Sequence, residues 1–159
     1  MFYKSLVRPH LEYCVSAWSP YYQKDKHLLE RIQHRFTRMI PGMKQLPYEK
    51  RLGQLGLCSL EERRNRADLL LVFKMFKGLS SIPFSQFFTF SNNTTTRGHS
   101  AKINKFRSSL DIRRFFFSER VVNRWNLLHQ KDIASTTLNW SFKNCLQQRR
   151  KAEMGFFTE

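Results

Sequence analysis

The chain has 159 residues, enough for one domain with a real core or for two very small ones. Lys and Arg number 28 against 12 Asp and Glu, a formal charge of +16, while 41% of residues are hydrophobic and 14% aromatic, including 15 Phe. This composition excludes a disordered basic tail, because it can bury enough apolar surface to offset chain entropy. It points to a folded protein that answers a polyanion: DNA, RNA or an acidic membrane surface.

The first element expected is a helix over residues 2–18, where Phe2, Leu6, Leu11, Cys14, Val15 and Trp18 recur on one face and Pro9 marks a kink or a fresh start. Ser19-Pro20 ends it. Residues 24–40 form the clearest amphipathic pattern. Leu28, Leu29, Ile32, Phe36, Met39 and Ile40 share one arc, and Lys24, His27, Arg31, His34, Arg35 and Arg38 share the opposite one. Burial of the apolar arc and solvation of the basic arc is the direct expectation, so Ile32 and Phe36 are expected in the core.

Pro41-Gly42, Pro47, Gly53 and Gly56 then punctuate a loop region around a short helix at residues 48–55. The next helix carries its own start signal. Ser59-Leu60-Glu61-Glu62 fits a capping box, in which the serine and the glutamate each take up a free backbone N–H. It should run to Lys77 and be closed by Gly78. Arg63, Arg64 and Arg66 lie in its first half; the second half, from Leu69 to Phe76, is apolar nearly all round and reads as buried.

From Ser80 the sequence changes to small polar residues interspersed with Phe, the pattern of a linker. Residues 101–107 and 110–117 suggest short strands or extended arms, followed by helices near residues 118–128 and 140–148. Arg149-Arg150-Lys151 suits the negative end of the last helix.

No run approaches the roughly 18 to 20 apolar residues of a membrane span, and no signal-peptide pattern opens the chain. An intracellular location, nucleus or cytoplasm, is therefore expected, without secretion and without a membrane partner. Cys14, Cys58 and Cys145 are far apart and lack neighbouring histidines, so they read as reduced small hydrophobes rather than metal ligands. Asp25, Asp68, Asp111 and Asp132 include no adjacent pair, so two-metal chemistry has no carboxylate cluster to build on. No phosphate-binding glycine loop, nucleophile elbow or Cys-x-x-Cys pair occurs. Catalytic residues, metal ligands and cofactors are all expected to be absent.

What remains is basic stripes beside aromatics. The Lys24, Arg31, Arg35 and Arg38 row can track phosphates or be a plain solvated face; the high net charge favours the phosphates. The segment Thr96-Arg97-Gly98-His99-Ser100 is either a phosphate-gripping loop or an ordinary turn. Arg113-Arg114-Phe115-Phe116-Phe117 can set guanidinium groups beside stacking rings, although three consecutive Phe fit a core better. Arg63, Arg64, Arg66, Arg97, His99, Lys102, Arg113 and Arg114 join the α-helical row as candidate nucleic-acid contacts.

The strings YKSLVRPHLEYCVSAWSP, LLERIQHRFTRMIPG, YEKRLGQLGLCSLEERRNRADLL, VFKMFKG, TRGHS and FFSERVVNRWNLL, in this order, resemble the C-terminal part of reverse transcriptases from non-LTR retrotransposons (LINEs), in particular the jockey and chicken-repeat branch. The resemblance covers about residues 2–146. It implies a mainly α fold: a thumb-like helical bundle at residues 1–79, a Phe, Ser and Thr-rich connection at 80–96, and a smaller basic segment at 97–159 with short extended stretches and two helices. It also implies that Met1 is an internal position of a longer ancestor whose palm carries the catalytic F/Y-A-D-D motif and its Mg. No position here matches that motif, so no catalytic residue carries over. Leu128-His129 departs from the Leu-Pro frequent in relatives.

The implied partner is an RNA or RNA/DNA template–primer duplex, gripped through its backbone, with self-association through an exposed palm-facing surface as a further expectation. Two alternatives stand beside this: a standalone basic RNA- or DNA-binding protein derived from such an element, and a translated remnant without function.

Overall fold

The computed structural model describes residues 2–91, 98–135, 137–153 and 155–157. Among these residues the fold is mainly α-helical and contains no β-sheet; a single antiparallel bridge joins Phe90 to Ile103. The chain divides into two compact units, Met1–Asn65 and Arg66–Glu159.

The first unit opens with a π-helical turn, Tyr3–Val7, that continues into α1 (Arg8–Glu12). Pro9 falls in the first turn of α1, immediately after the π-helical turn, and so marks a fresh start. The break comes later, at Cys14, whose φ of 51° turns the chain into α2 (Val15–Trp18). After Ser19-Pro20 come α3 (Gln23–Arg38), α4 (Tyr48–Leu55) and α5 (Leu60–Phe76). The Ser59 hydroxyl accepts the Glu62 N–H at 3.1 Å, as the capping pattern requires, and the Leu60 N–H goes to a carboxylate oxygen of Glu30 at 2.9 Å.

Inside this unit α3 is turned about its axis relative to the expectation: the basic arc, half-buried His34 apart, is exposed as expected, but the buried face is displaced from the apolar arc. Lys26, Gln33 and Thr37 are its buried residues, whereas Leu28, Ile32 and Met39 of the apolar arc are 55%, 41% and 79% exposed. Leu29, Phe36 and Ile40 are half-buried. The cause is a polar network that holds the inner face. Gln33 is fully buried; its amide oxygen accepts from the Tyr3 hydroxyl at 2.6 Å, and its amide nitrogen donates to the Tyr48 oxygen and the Cys58 carbonyl, both at 2.9 Å. Tyr48 in turn donates to Glu30. Burial, with Glu30 close by, pushes both phenols far above the ordinary tyrosine value, so each remains a donor.

Ion pairs complete the unit: Lys26 with Glu61 at 2.8 Å, and Arg63 with both oxygens of Glu12. Leu57, Leu60, Val15 and Tyr3 supply the buried apolar surface around them.

The second unit has a conventional apolar core. Leu69, Val72, Phe73 and Met75 of α5 pack with Phe88, Ala101, Ile103, Phe117, Val121, Trp125, Phe142 and Leu146. Packing thus divides the chain within α5, upstream of the 80–96 stretch, because the apolar half of that helix buries itself among residues that follow it. Phe73 stacks on Phe142 at 4.0 Å, and Phe76 meets Trp125 edge-on at 5.9 Å. The helix closes at Gly78, whose φ of 68° lets the Leu79 N–H reach the Lys74 carbonyl at 2.8 Å.

Short elements follow: a 3-10 turn Phe84–Gln86, α6 (Asp111–Arg114), α7 (Phe117–Arg120), α8 (Val122–Asn126), α9 (Gln130–Ile133), a π-helical turn Leu138–Phe142 and α10 (Lys143–Ala152). The arm at residues 101–104 is extended, as its composition suggests, but it has no sheet to join. Backbone bonds to residues 89–91 hold it on one side, Ser91 N–H to the Lys102 carbonyl at 2.8 Å and Asn104 N–H to the Thr89 carbonyl at 2.9 Å. Side chains of α8 hold it on the other: Trp125 Nε1 donates to the Ala101 carbonyl at 2.8 Å, and the Asn126 amide takes the Ile103 N–H and carbonyl at 2.9 and 2.8 Å. Asp68 anchors α7 through a two-point pair with Arg120, at 2.8 and 3.1 Å.

Two substitutions separate the observed α3 from the amphipathic expectation. Gln33→Leu should destabilise the chain by about 1–3 kcal/mol although it adds an apolar side chain, because it strands buried donors and acceptors. Ile32→Asp should cost under about 1 kcal/mol, as an exposed site does. Urea unfolding of the two variants gives both values, and the amphipathic expectation requires the opposite order.

Candidate nucleic-acid interface

The cations of α3 that point outward are Lys24, Arg31, Arg35 and Arg38, all exposed. Arg31, Arg35 and Arg38 follow each other at helical neighbour spacing, a row about 10 Å long. None of these three forms an ion pair with a carboxylate of the described residues. Lys24 lies over the Tyr22 ring at 5.7 Å. His34, half-buried on the same helix, accepts contact from Arg51, whose guanidinium is within 3.2 Å of its ring and also donates to its carbonyl at 3.2 Å. Burial first, then Arg51 and Arg38, hold the His34 ring below the ordinary histidine value, so it adds no charge to the row at neutral pH.

Of the arginines of the ERRNR segment one is buried and two are half-buried. Arg64 is 2% exposed and Arg63 is paired with Glu12, whose hydrogen bond raises its affinity for the proton. Arg66 donates to Gln147 at 2.8 Å and lies over the Phe157 ring at 6.0 Å. Burial and partners therefore give these three structural duties, and they correct the expectation of a cationic surface at the start of α5. Sequence spacing alone had no means to show this, because the carboxylate that holds Arg63 is 51 residues away.

The TRGHS segment divides likewise. Arg97 lies outside the described residues. His99 is 3% exposed: its Nε2–H donates to the Trp125 carbonyl at 2.9 Å, and its Nδ1 accepts the Ala101 N–H at 3.2 Å. It is a core histidine, not a phosphate contact. Gly98 beside it has a φ of 133°, a backbone conformation that strains any other residue, so the turn favours glycine. Lys102 is half-buried.

Arg113 and Arg114 are exposed, each over a phenylalanine ring: Arg113 over Phe116 at 5.8 Å and Arg114 over Phe115 at 5.6 Å. Only part of the phenylalanine run is core. Phe117 is 4% exposed and Phe116 is 39% exposed. Lys105 and Arg107, which sequence pattern did not single out, are exposed in the same unit.

Among the described residues no group of His, Cys, Asp and Glu is placed to hold a metal ion, and no helix is long and apolar enough to cross a membrane. A pocket between α9 and α10 is lined by Lys131 and Arg149 against Asp132 and Glu153, so it has no net charge to select an ion. Comparison with known proteins adds no relative: no family model, no curated protein and no solved structure matches the chain.

The buried histidine sets a pH dependence. Burial, more than any neighbour, keeps the His99 pKa in the folded chain below 6.5, with Lys102 lowering it further and the Trp125 carbonyl and Asp132 opposing. Above about pH 7 both folded and unfolded chains hold it neutral, and its contribution is complete. As pH falls through the ordinary value, the unfolded chain takes up a proton that the folded chain refuses, so stability declines until the folded ring also titrates. His34 acts in the same sense. Melting temperature should therefore drop from about pH 8 to about pH 5, and His99→Gln should make that decline shallower; an equal slope in the variant would remove His99 from the account.

Proposed function

We propose that this chain is the thumb and post-thumb part of a retrotransposon-type reverse transcriptase and that it holds the template–primer duplex, with no polymerase chemistry of its own. The observation that carries the reading is the row Arg31, Arg35 and Arg38: exposed, set on one helix, and without carboxylate partners among the described residues. A cationic row of that kind meets sugar–phosphate backbone through charge and releases condensed counterions, giving affinity without sequence reading. An RNA-containing duplex would be gripped by its shape and phosphates.

The family resemblance of the sequence supplies the identity of the duplex, and two features of the first unit support it. Its helices are held together from inside by hydrogen bonds, so the cationic row can be presented without strain on the core. Its apolar residues Phe2, Leu6, Leu28, Ile32 and Met39 remain exposed, as expected of a unit that docks against further protein. In the resembled enzymes that protein is the palm, and an isolated copy would turn the same surface on itself.

The test is binding of the full chain to an RNA–DNA hybrid across a salt series. Wild type should bind saturably with a steep log–log salt dependence, and reversing Arg31, Arg35 and Arg38 to Glu should weaken binding and reduce the slope by about two to three. Circular dichroism of the variant should be unchanged, since all three side chains are exposed. No detectable binding to any nucleic acid at low salt would sink the reading.

A further inference from the structure

In the second unit, Glu119 is 3% exposed, yet its carboxylate serves groups at the surface. Oε2 accepts the backbone N–H of Phe106 at 3.3 Å, and Oε1 pairs with the Arg113 guanidinium at 3.6 Å. Arg113 in turn lies over the Phe116 ring. One buried carboxylate thus ties together two separate stretches, 105–107 and 113–116, each carrying a phenylalanine that the core does not take. Phe106 is 55% exposed and Phe116 is 39% exposed, although Phe73, Phe88 and Phe117 nearby in sequence or space are almost fully buried.

Lys105 and Arg107 flank Phe106 in the chain, Arg113 lies over Phe116 and Arg114 over the neighbouring Phe115; all four cations are exposed, and Asp111 is an exposed acid in the same stretch. Lys105 is steadied by Asn123, to which it donates at 3.1 Å. From this juxtaposition we infer that the Phe106–Phe116 surface is a platform for single-stranded nucleic acid, its rings stacking on bases and its Lys and Arg side chains following the backbone. The inference rests on the reading of the chain as a nucleic-acid binder and adds a second, chemically distinct surface to it.

Chemistry decides the occupant. Phosphates are drawn by the cluster of cations, and the fixed aromatic faces suit unstacked bases, which every single strand offers. A duplex keeps its base faces occupied by neighbouring pairs, so it has no use for the rings. Segments that lie on membranes present an amphipathic helix, whereas residues 104–110 carry no helix and α6 is four residues long. Arg113 is also held to a buried carboxylate, which sets its plane beside the ring before any ligand arrives.

The experiment uses the full chain and three probes: a uridine-rich single strand, an RNA–DNA hybrid, and vesicles of phosphatidylcholine with phosphatidylserine. Phe106→Leu and Phe116→Leu keep apolar bulk but remove the stacking face. Each should weaken single-strand binding roughly tenfold, while hybrid binding stays within about twofold of wild type. Ultraviolet crosslinking of the wild-type chain to a strand bearing 4-thiouridine should mark peptides containing Phe106 or Phe116, a readout that needs no variant.

Single-strand affinity that ignores both substitutions, or crosslinks found only elsewhere, would overturn the platform while leaving hybrid binding to stand. Vesicle binding without single-strand binding would assign the surface to lipid and overturn it too. Failure of both nucleic-acid probes would remove the parent reading and this one together.

Discussion

Gln33 decides how the first unit is built. Its single side chain receives the Tyr3 hydroxyl and donates to Tyr48 and to the Cys58 carbonyl, so it links the first turn, α3, α4 and the approach to α5. A buried amide with those partners cannot be rotated outward without stranding several polar groups in a dry interior, at about 1–3 kcal/mol for each group left unpaired. Once Gln33 points in, the rest of α3 follows: Lys26 and Thr37 turn toward Glu61 and the His34 carbonyl, and Leu28, Ile32 and Met39 are left outside.

This explains why the helix boundaries were legible in the sequence and the packing was not. Tyr48–Leu55 and the Ser59 start signal of α5 are local chemistry, set by proline, glycine and serine within a few residues. Which face of α3 is buried depends on Tyr3, Tyr48 and Cys58, 30, 15 and 25 residues distant, and periodicity cannot see them. Hydrophobic pattern named an apolar arc correctly but assumed that its partner lay within the same unit. Pro9 stands at the start of α1, one of the two outcomes that its place in the sequence allowed.

Among the cations, Arg63 of the candidate contacts and Arg120 outside them meet a distant carboxylate in a two-point pair, whereas among the described residues the α3 row does not. Arg63 and Arg120 meet Glu12 and Asp68 and become struts. Arg31, Arg35 and Arg38 meet none among the described residues and stay available. In the first unit the cations form a row on one helix; in the second, rings and guanidiniums lie together on short, irregular elements. Among the described residues neither surface gathers a group of His, Cys, Asp and Glu that could hold a metal ion.

The buried carboxylates carry one more implication. Glu12, Glu30, Glu61, Asp68, Glu119 and Asp132 are turned toward internal partners. Glu12, Glu61 and Asp68 neutralise Arg63, Lys26 and Arg120 within the fold, so the formal charge of +16 stands on cations that no such acid holds. Two such chains repel in dilute buffer, and the repulsion shortens its reach to about 10 Å at 0.1 M salt. If the chain holds a polyanion as proposed, screening that loosens that hold would also let the uncovered leucine, isoleucine and methionine of α3 approach another apolar surface, so ionic strength would push the two kinds of encounter in opposite directions.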